Sequence, residues 1–118
     1  MSVILRNVKF DQESMRAFLN LQEKLHQTFC RERKYASIGT HDLDTLTPPF
    51  TYKAVDPKDI HFVPLFQTEE MDGHQMMKAL ESSSKLKDYL HLIRDSPTYP
   101  VVVDSKGIVG SVPPIINS

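Results

Sequence analysis

Residues 99–111, YPVVVDSKGIVGS, carry the clearest strand signal in this chain. Three consecutive valines, 101–103, are typical of a buried strand, because β-branched side chains pack well on a pleated surface. Asp104 to Gly107 then forms a tight turn, in which glycine supplies a residue that tolerates positive φ. Residues 108–111 return as the partner strand. This segment therefore predicts two paired strands joined by a short turn.

A proline-rich segment, VPPIINS at residues 112–118, follows the paired strands directly. Pro113 and Pro114 have no backbone N–H, so they cannot donate hydrogen bonds to a neighbouring strand. The backbone here is expected to be exposed or to be offered to another group.

Further strands are expected upstream. Residues 50–55 alternate apolar and polar side chains, and residues 3–10 are apolar on both faces, which indicates a strand partly covered on each side. Residues 60–65 predict a short strand near a sheet edge, because Pro64 cannot donate to a ladder. Residues 56–59, Asp-Pro-Lys-Asp, predict a turn.

Helical periodicity begins after Asp11, a good N-cap, and extends over residues 12 to about 33. The apolar stripe on this helix is expected to pack against a sheet, and Cys30 is expected to be packed rather than reactive. Cations near its end complement the helix dipole, although contact with a phosphate is an alternative role for them. The stripe consists of Met15, Phe18, Leu19, Leu25 and Phe29; the cations are Arg31, Arg33 and Lys34.

The middle of the chain predicts two shorter helices. One is capped by Asp72 or Thr68 and ends before Ser82, and the other has a stripe of Leu86, Leu90 and Ile93. His74 and His91 are expected to be solvated or to lie at the edge of the core. The fold class is therefore α/β of the α+β kind. A mixed or antiparallel sheet is packed by one long N-terminal helix and two shorter central helices, in a single, partial domain over residues 1–118.

The bulk composition is that of an ordinary globular protein. The 118 residues are 40 % hydrophobic and 25 % charged, with a net charge of −1. No global field therefore draws the chain onto nucleic acid or an anionic membrane, and any contact with RNA must be local. A single cysteine favours a reducing compartment. No apolar run approaches the roughly twenty residues of a spanning helix, and no signal peptide is visible.

The loop SIGTHDLDT, residues 37–45, concentrates polar groups after an apolar run at residues 35–38 that predicts a strand. Gly39 suits a sharp turn or the close approach of another group. Two interpretations remain open: the polar side chains cap the local backbone, or they face a ligand. A metal is not favoured, because no recognised ligand spacing occurs, and no G-x-S-x-G nucleophile elbow is present. The polar residues are Thr40, His41, Asp42, Asp44 and Thr45.

Two motifs taken together, IGTHDLDT at residues 38–45 and PPIINS at residues 113–118, resemble the beta subunit of phenylalanyl-tRNA synthetase. The resemblance is to the form found in archaea and the eukaryotic cytosol. The segments LQEKLHQ at residues 21–27, FTY at 50–52, LHLI at 90–93 and YPV at 99–101 extend it over nearly the whole chain. In that family these segments belong to the central editing module, which hydrolyses tyrosine mistakenly attached to the phenylalanine tRNA.

The resemblance implies that this chain is the N-terminal part of that module, because the family's beta subunit is several times longer and continues beyond the PPIIN motif. It implies a cytoplasmic protein whose partners are the alpha subunit, the remainder of the beta subunit and tRNA-Phe. ATP and magnesium would serve the parent complex, whose aminoacylation site the alpha subunit forms. No cofactor and no metal are expected to be held by these residues.

Editing of an activated ester needs only a positioned water and oxyanion donors, and a buried polar group that pairs with the phenol would select tyrosine. From the resemblance, Asp104 and Asn117 are candidate catalytic residues. Asp104 could equally be just the first residue of a β-turn. The candidate substrate-binding residues are Ser105, Pro113 and Ile116, with Gly39, Thr40, His41, Asp42 and Asp44 as a second wall or a structural brace.

Two other interpretations stay open. The chain could be a non-catalytic scaffold that holds subunits or tRNA together, or a free-standing small protein that borrowed the domain. The isolated chain is expected to be inactive or very weak in editing, because a preorganised site needs its supporting shell.

Overall fold

The computed structural model describes all 118 residues and divides into two compact units, Met1–Ile38 and Gly39–Ser118. The first unit contains helix α1. The second contains a four-stranded sheet, helix α2 and three short 3₁₀ helices, so the predicted α+β class is confirmed. The elements are α1 Gln12–Gln27, β1 Thr51–Val55, α2 Gly73–Leu80, β2 Tyr99–Val103, β3 Val109–Val112 and β4 Ile116–Asn117, with 3₁₀ helices at Leu43–Thr45, Pro57–Asp59 and Lys87–Leu92.

The sheet has the order β1-β2-β3-β4 and is antiparallel throughout. The predicted pairing of the two strands around residues 104–107 is confirmed, with a register shift between Val102 and Val103. Gly107 has a φ of 83°, which is the left-handed conformation that a glycine adopts without steric strain. Each strand of the sheet is therefore paired in antiparallel orientation with the next strand along the chain.

One face of the sheet forms the core of the second unit. Tyr99, Val101 and Val103 alternate with less buried residues along β2 and lie on this face. Helix α2, whose N-terminus is closed by a capping box between Asp72 and Gln75, contributes its own buried side chains to the same cluster. The remaining members of the cluster include Ile60, Phe62, Met76, Met77, Leu80, Leu90, Ile93, Val109, Val112, Ile115 and Ile116.

The opposite face carries a row of side chains that crosses all four strands. In the strand register, Tyr52 lies opposite Val102, Val102 opposite Ser111, and Ser111 opposite Asn117. Directly paired residues of antiparallel strands project to the same side, so these four side chains share one face. This row leads from the exposed edge strand β1 to β4, and Asn117 is its last residue.

Three predicted strands are wrong. Residues 3–10 and 35–38 form no strand, and residues 60–65 make only one isolated bridge, between Phe62 and Met71. A strand needs a neighbour to complete its hydrogen bonds, and apolar alternation does not reveal whether one exists. In the third case, Pro64 has no N–H to donate and Phe66 adopts a left-handed φ of 69°, which ends extended backbone.

Helix α1 is shorter and more exposed than predicted. It begins after an Asp11–Ser14 capping box and ends at Gln27 rather than near Arg33, because Arg31, Glu32 and Arg33 have positive φ. The expected packing of its apolar stripe into a core is wrong for Met15, Leu19 and Phe29, which are 39 %, 49 % and 85 % exposed. Cys30 is buried, as expected.

His26 is the buried group that fixes the end of the first unit. The residue is 2 % exposed, and its Nε2 accepts a hydrogen bond of 2.8 Å from the backbone N–H of Ile38. An accepting Nε2 requires a neutral imidazole with its proton on Nδ1. Burial is the main cause that lowers the pKa of His26, and the positive charge of Arg33 adds to it, although Glu23 acts in the opposite direction.

This burial predicts a pH dependence of stability. A histidine whose pKa is lower in the folded state than in the unfolded state removes stability as pH falls from its unfolded pKa of about 6.5 toward the folded value. We expect the melting temperature of the chain to decrease over that window, and the decrease to become smaller in a His26→Gln variant. Thermal melts between pH 8 and pH 5 measure it, with the exposed His74→Gln as the matched control. An unchanged pH profile in His26→Gln would contradict this account.

A loop-to-sheet junction as the candidate functional site

The buried carboxylate of Asp104 joins the turn after β2 to a loop far away in the sequence. Its Oδ1 accepts hydrogen bonds from the backbone N–H groups of Lys106 (2.9 Å) and Ile108 (2.8 Å). Its Oδ2 accepts a third, of 2.9 Å, from the N–H of Thr47. The residue is 4 % exposed, so these donors replace water around the charge.

These hydrogen bonds set the ionisation of Asp104. The backbone N–H of Thr47 contributes most to lowering the pKa of the carboxyl, with further contributions from Ile108 and Lys106, while desolvation opposes them. Donors that point at a carboxylate favour its charged form. Asp104 is therefore an ionised group that accepts from backbone N–H groups only, two of them in its own turn, as in the turn alternative, and one at Thr47. A catalytic role for Asp104 stays a prediction.

Ser105 and Leu46 strengthen the same junction. The N–H and the hydroxyl of Ser105 each donate to the carbonyl of Thr47 at 3.0 Å. Leu46 is buried, and its side chain lies directly over Gly110 of β3. The loop at residues 39–50 is thus held on the sheet by polar contacts at one point and by an apolar contact next to it.

Asn117 brings the start of that loop to β4. Its side-chain Nδ2 donates to the carbonyl of Thr40 at 3.3 Å, and its backbone carbonyl accepts from the N–H of Leu65 at 2.8 Å. A Cβ atom on Gly39 would lie 3.2 Å from Asn117 Oδ1 and 3.3 Å from His41 Nε2. Gly39 therefore allows the close approach that its sequence context predicts.

Two further polar residues of the loop, Asp42 and Thr45, bond to its own backbone. Asp42 caps the 3₁₀ helix Leu43–Thr45 by accepting from the N–H of Asp44 at 3.0 Å, and the hydroxyl of Thr45 donates to the carbonyl of Asp42 at 2.7 Å. These contacts correspond to the capping alternative. Burial lowers the pKa of His41, which keeps that imidazole neutral at physiological pH.

The PPIIN motif is divided between the two faces of the sheet. Pro113 and Pro114 form the turn between β3 and β4, closed by a hydrogen bond from the N–H of Ile115 to the carbonyl of Val112. Ile116 is buried in the core cluster, so its side chain is on the face opposite to that of Asn117. The structure therefore places Asn117 next to the loop and places Ile116 away from it.

A groove that the sequence does not reveal is lined by residues 61–67, by the end of the β2–β3 turn and by Ser118. It has a volume of about 620 Å³ and is open to solvent, with apolar walls and a few polar groups. Neither Asp104 nor Asn117 lines it. No sequence signal points to it, because the exposure of Val63 and Phe66 and the left-handed φ of Phe66 are properties of the folded chain. Its walls include His61, Phe62, Val63, Phe66, Glu70, Ile108 and Ser118.

The chain has neither a cluster of metal-binding side chains nor a helix that could span a membrane. No three side chains of histidine, cysteine, aspartate or glutamate are grouped so that they could hold a metal ion. No helix combines the length and the apolarity needed to cross a membrane.

Comparison with known proteins gives consistent matches over nearly the whole chain. The phenylalanine–tRNA ligase beta subunit of Dictyostelium discoideum is 58 % identical over 115 residues, which are 97 % of this chain and 19 % of that protein. The human beta subunit is 51 % identical over 116 residues, 98 % of this chain and 20 % of that protein. The Arabidopsis thaliana relative, whose name specifies the cytoplasmic form, is 52 % identical over 97 % of this chain and 19 % of its own length.

A solved structure shares the fold. It is an N-terminal fragment of the phenylalanyl-tRNA synthetase beta subunit from Pyrococcus horikoshii, with a TM-score of 0.84 and 40 % sequence identity. The match covers 94 % of this chain and 31 % of that fragment. No model of a protein family matches the chain.

Over nearly its whole length, the chain is therefore similar in sequence and fold to a segment of an aminoacyl-tRNA ligase subunit. In each of these comparisons the similar protein is the beta subunit of phenylalanine–tRNA ligase, and this chain spans about a fifth of the length of the curated relatives that it matches. The expectation that it is the N-terminal part of the editing module stays a prediction.

The junction predicts that removal of the Asp104 carboxylate destabilises the fold. Asp104→Ala leaves the N–H groups of Thr47, Lys106 and Ile108 without their acceptor. We expect the melting temperature to fall by at least several degrees, measured by circular dichroism on the chain at neutral pH. The matched control is Asp88→Ala, an exposed carboxylate on the 3₁₀ helix Lys87–Leu92, which should change the melting temperature little. Equal effects of the two substitutions would refute the role of Asp104.

The close approach at Gly39 gives a second prediction. The methyl group of Gly39→Ala meets the side chains of Asn117 and His41 at distances tighter than ordinary van der Waals contact, so the side chain of Asn117 must move. We expect the side-chain amide resonances of Asn117 to shift in an NMR spectrum while those of Gln75, on α2, stay in place. The same spectrum in both proteins would show that the two segments are not in contact.

Proposed function

We propose that this chain is a part of phenylalanine–tRNA ligase that acts in the aminoacylation of tRNA-Phe, and that it contributes to hydrolytic editing of tyrosine attached to that tRNA. The observation that carries the proposal is the similarity to beta subunits over 97–98 % of the chain. Within the complete enzyme, its partners would be the alpha subunit, the remainder of the beta subunit and tRNA-Phe in the cytoplasm. ATP and magnesium would bind outside these residues.

The position of Asn117 supports the editing role. It is the last residue of the row on the face opposite the core, and it is only partly buried, so its side-chain amide can reach a ligand. A side-chain amide can orient a water molecule with its oxygen or donate to a developing oxyanion with its nitrogen. The aminoacyl ester is already activated, so these two tasks are sufficient for hydrolysis without a protein nucleophile.

The groove beside residues 61–67 offers a place for the amino acid. Its volume of about 620 Å³ exceeds what one aromatic side chain needs, and its walls combine Phe62 and Ile108 with the polar side chains of His61, Glu70 and Ser118. A polar group that pairs with the phenol hydroxyl would be left unsatisfied by phenylalanine, which discriminates strongly between the two amino acids. Asn117 is the link, because its backbone carbonyl holds Leu65 at this groove while its side chain holds Thr40.

A second candidate function is a scaffold that performs no chemistry. The observation that favours it is the use of Asp104, Ser105 and Asp42 for contacts inside the chain. In this case, the junction would serve only to keep the sheet and the loop in place for other parts of the enzyme.

Substitution of Asn117 in the complete ligase separates the two functions. Under the editing proposal, Asn117→Ala slows release of tyrosine from Tyr-tRNA-Phe at saturating tRNA by about ten- to a hundredfold, because an oriented water or oxyanion donor is lost. Charging of tRNA-Phe with phenylalanine should stay normal. Thr51→Ala, at the exposed start of β1, is the matched control. If the Asn117 variant is as stable as wild type and clears tyrosine at the normal rate, Asn117 has no role in editing.

A further inference from the structure

In the first unit, a positively charged and hydrogen-bonded turn follows α1. Backbone hydrogen bonds fix this turn, including those from the N–H of Cys30 to the carbonyl of Leu25 (3.0 Å) and from the N–H of Glu32 to the carbonyl of His26 (2.8 Å). A third, of 3.1 Å, connects the N–H of Tyr35 to the carbonyl of Cys30. Cys30 and His26 are buried on the inner side, so the turn is anchored from within.

The outer side of this turn exposes two aromatic rings beside two cations, and we call Phe29, Arg31, Lys34 and Tyr35 the basic turn. Phe29 is 85 % exposed and Tyr35 is 72 % exposed. The guanidinium of Arg31 lies 4.5 Å from the centre of the Tyr35 ring and donates to its hydroxyl at 3.0 Å. Arg31 and Tyr35 therefore present a preformed stack of two flat groups to solvent.

The backbone of the basic turn is held in an unfavourable conformation. Arg31, Glu32 and Arg33 are consecutive non-glycine residues with φ of 47°, 55° and 64°. Non-glycine residues adopt this conformation at a steric cost, and such strain is concentrated at sites where it sets the direction of functional side chains. Here it reverses the chain after the helix, and Arg31, Glu32 and Lys34 are exposed.

The charge of the two units differs in sign. The unit Met1–Ile38 contains seven Lys and Arg against four Asp and Glu, whereas Gly39–Ser118 contains seven against eleven. The net charge of the whole chain, −1, does not show this separation of charge between the units. Glu32 reduces the local charge by pairing with Lys34 at 3.1 Å, but both partners are more than half exposed, so the pair is weak and can be exchanged for a phosphate.

We infer that the basic turn is a contact site for the phosphate backbone and an unpaired base of RNA, with tRNA as its source; this inference rests on the proposed function. Cations that alternate with exposed rings match RNA, in which phosphates bind Arg and Lys and splayed bases stack on aromatic or guanidinium planes. A protein partner would instead favour an apolar centre with charge at its rim. Arg31 and Lys34 bind phosphate, and Phe29 and the Arg31–Tyr35 stack receive a base.

Salt-dependent binding of tRNA-Phe by the complete ligase that carries this chain tests the site. In the double variant Arg31→Gln/Lys34→Gln, the slope of log affinity against log salt should decrease by about one to two, since each lost phosphate contact removes about 0.7 to 0.9. In Phe29→Ala/Tyr35→Ala, the Kd should rise about tenfold with the slope unchanged, because stacking is lost without loss of charge. The matched controls are Lys85→Gln/Lys87→Gln, exposed on the other unit, and Leu21→Ala, exposed on α1.

The outcomes are distinguishable. Unchanged affinity and salt slope in both double variants would overturn the inference. Loss of assembly with the alpha subunit, together with normal tRNA affinity of the complex that does assemble, would also overturn it and would identify a protein-docking surface. The rate of tyrosine release at saturating tRNA should stay normal in these variants, so failure here leaves the editing proposal intact. The editing proposal is tested instead by the release of tyrosine in the Asn117→Ala variant.

Discussion

The loop at residues 39–50 is positioned on the sheet around one buried negative charge. The carboxylate of Asp104 accepts from three backbone N–H groups, two in its own turn and one at Thr47, 57 residues away in the sequence. Without these donors, burial of an ionised carboxylate would be strongly unfavourable. With them, the ionised form is favoured, and the loop has a defined position on the sheet. The contacts of Leu46 with Gly110 and of Thr40 with Asn117 depend on that position.

The sheet gives each of its faces a separate task. One face holds the apolar side chains that make the core, and the other presents the row from Tyr52 to Asn117. Because side chains alternate along a strand, neighbouring residues of β4 have different tasks: Ile116 stabilises the core, and Asn117 contacts the loop. The short β4 strand thereby connects the stability of the domain to the surface where we propose the chemistry.

Local patterns made part of this structure predictable. The paired strands β2 and β3, strand β1 and the caps of α1 and α2 were all visible in the sequence, because a turn or a cap needs specific residues at fixed spacing. The strands expected at residues 3–10 and 60–65 were wrong, since a strand also needs a neighbour that periodicity does not reveal. Likewise, no local sequence pattern indicated that residues 31–33 all adopt the left-handed backbone conformation.

The candidate site was predictable only through resemblance. The contact between Thr40 and Asn117 spans 77 residues, and no local pattern points from one to the other.

Amide hydrogen exchange at Thr47 tests most directly whether Asp104 holds the loop in place. If it does, the Thr47 amide should exchange as slowly as amides of β2 and β3, although it lies in a loop without regular structure. Exchange of Thr47 as fast as that of exposed loop amides, with the sheet still protected, would contradict the account.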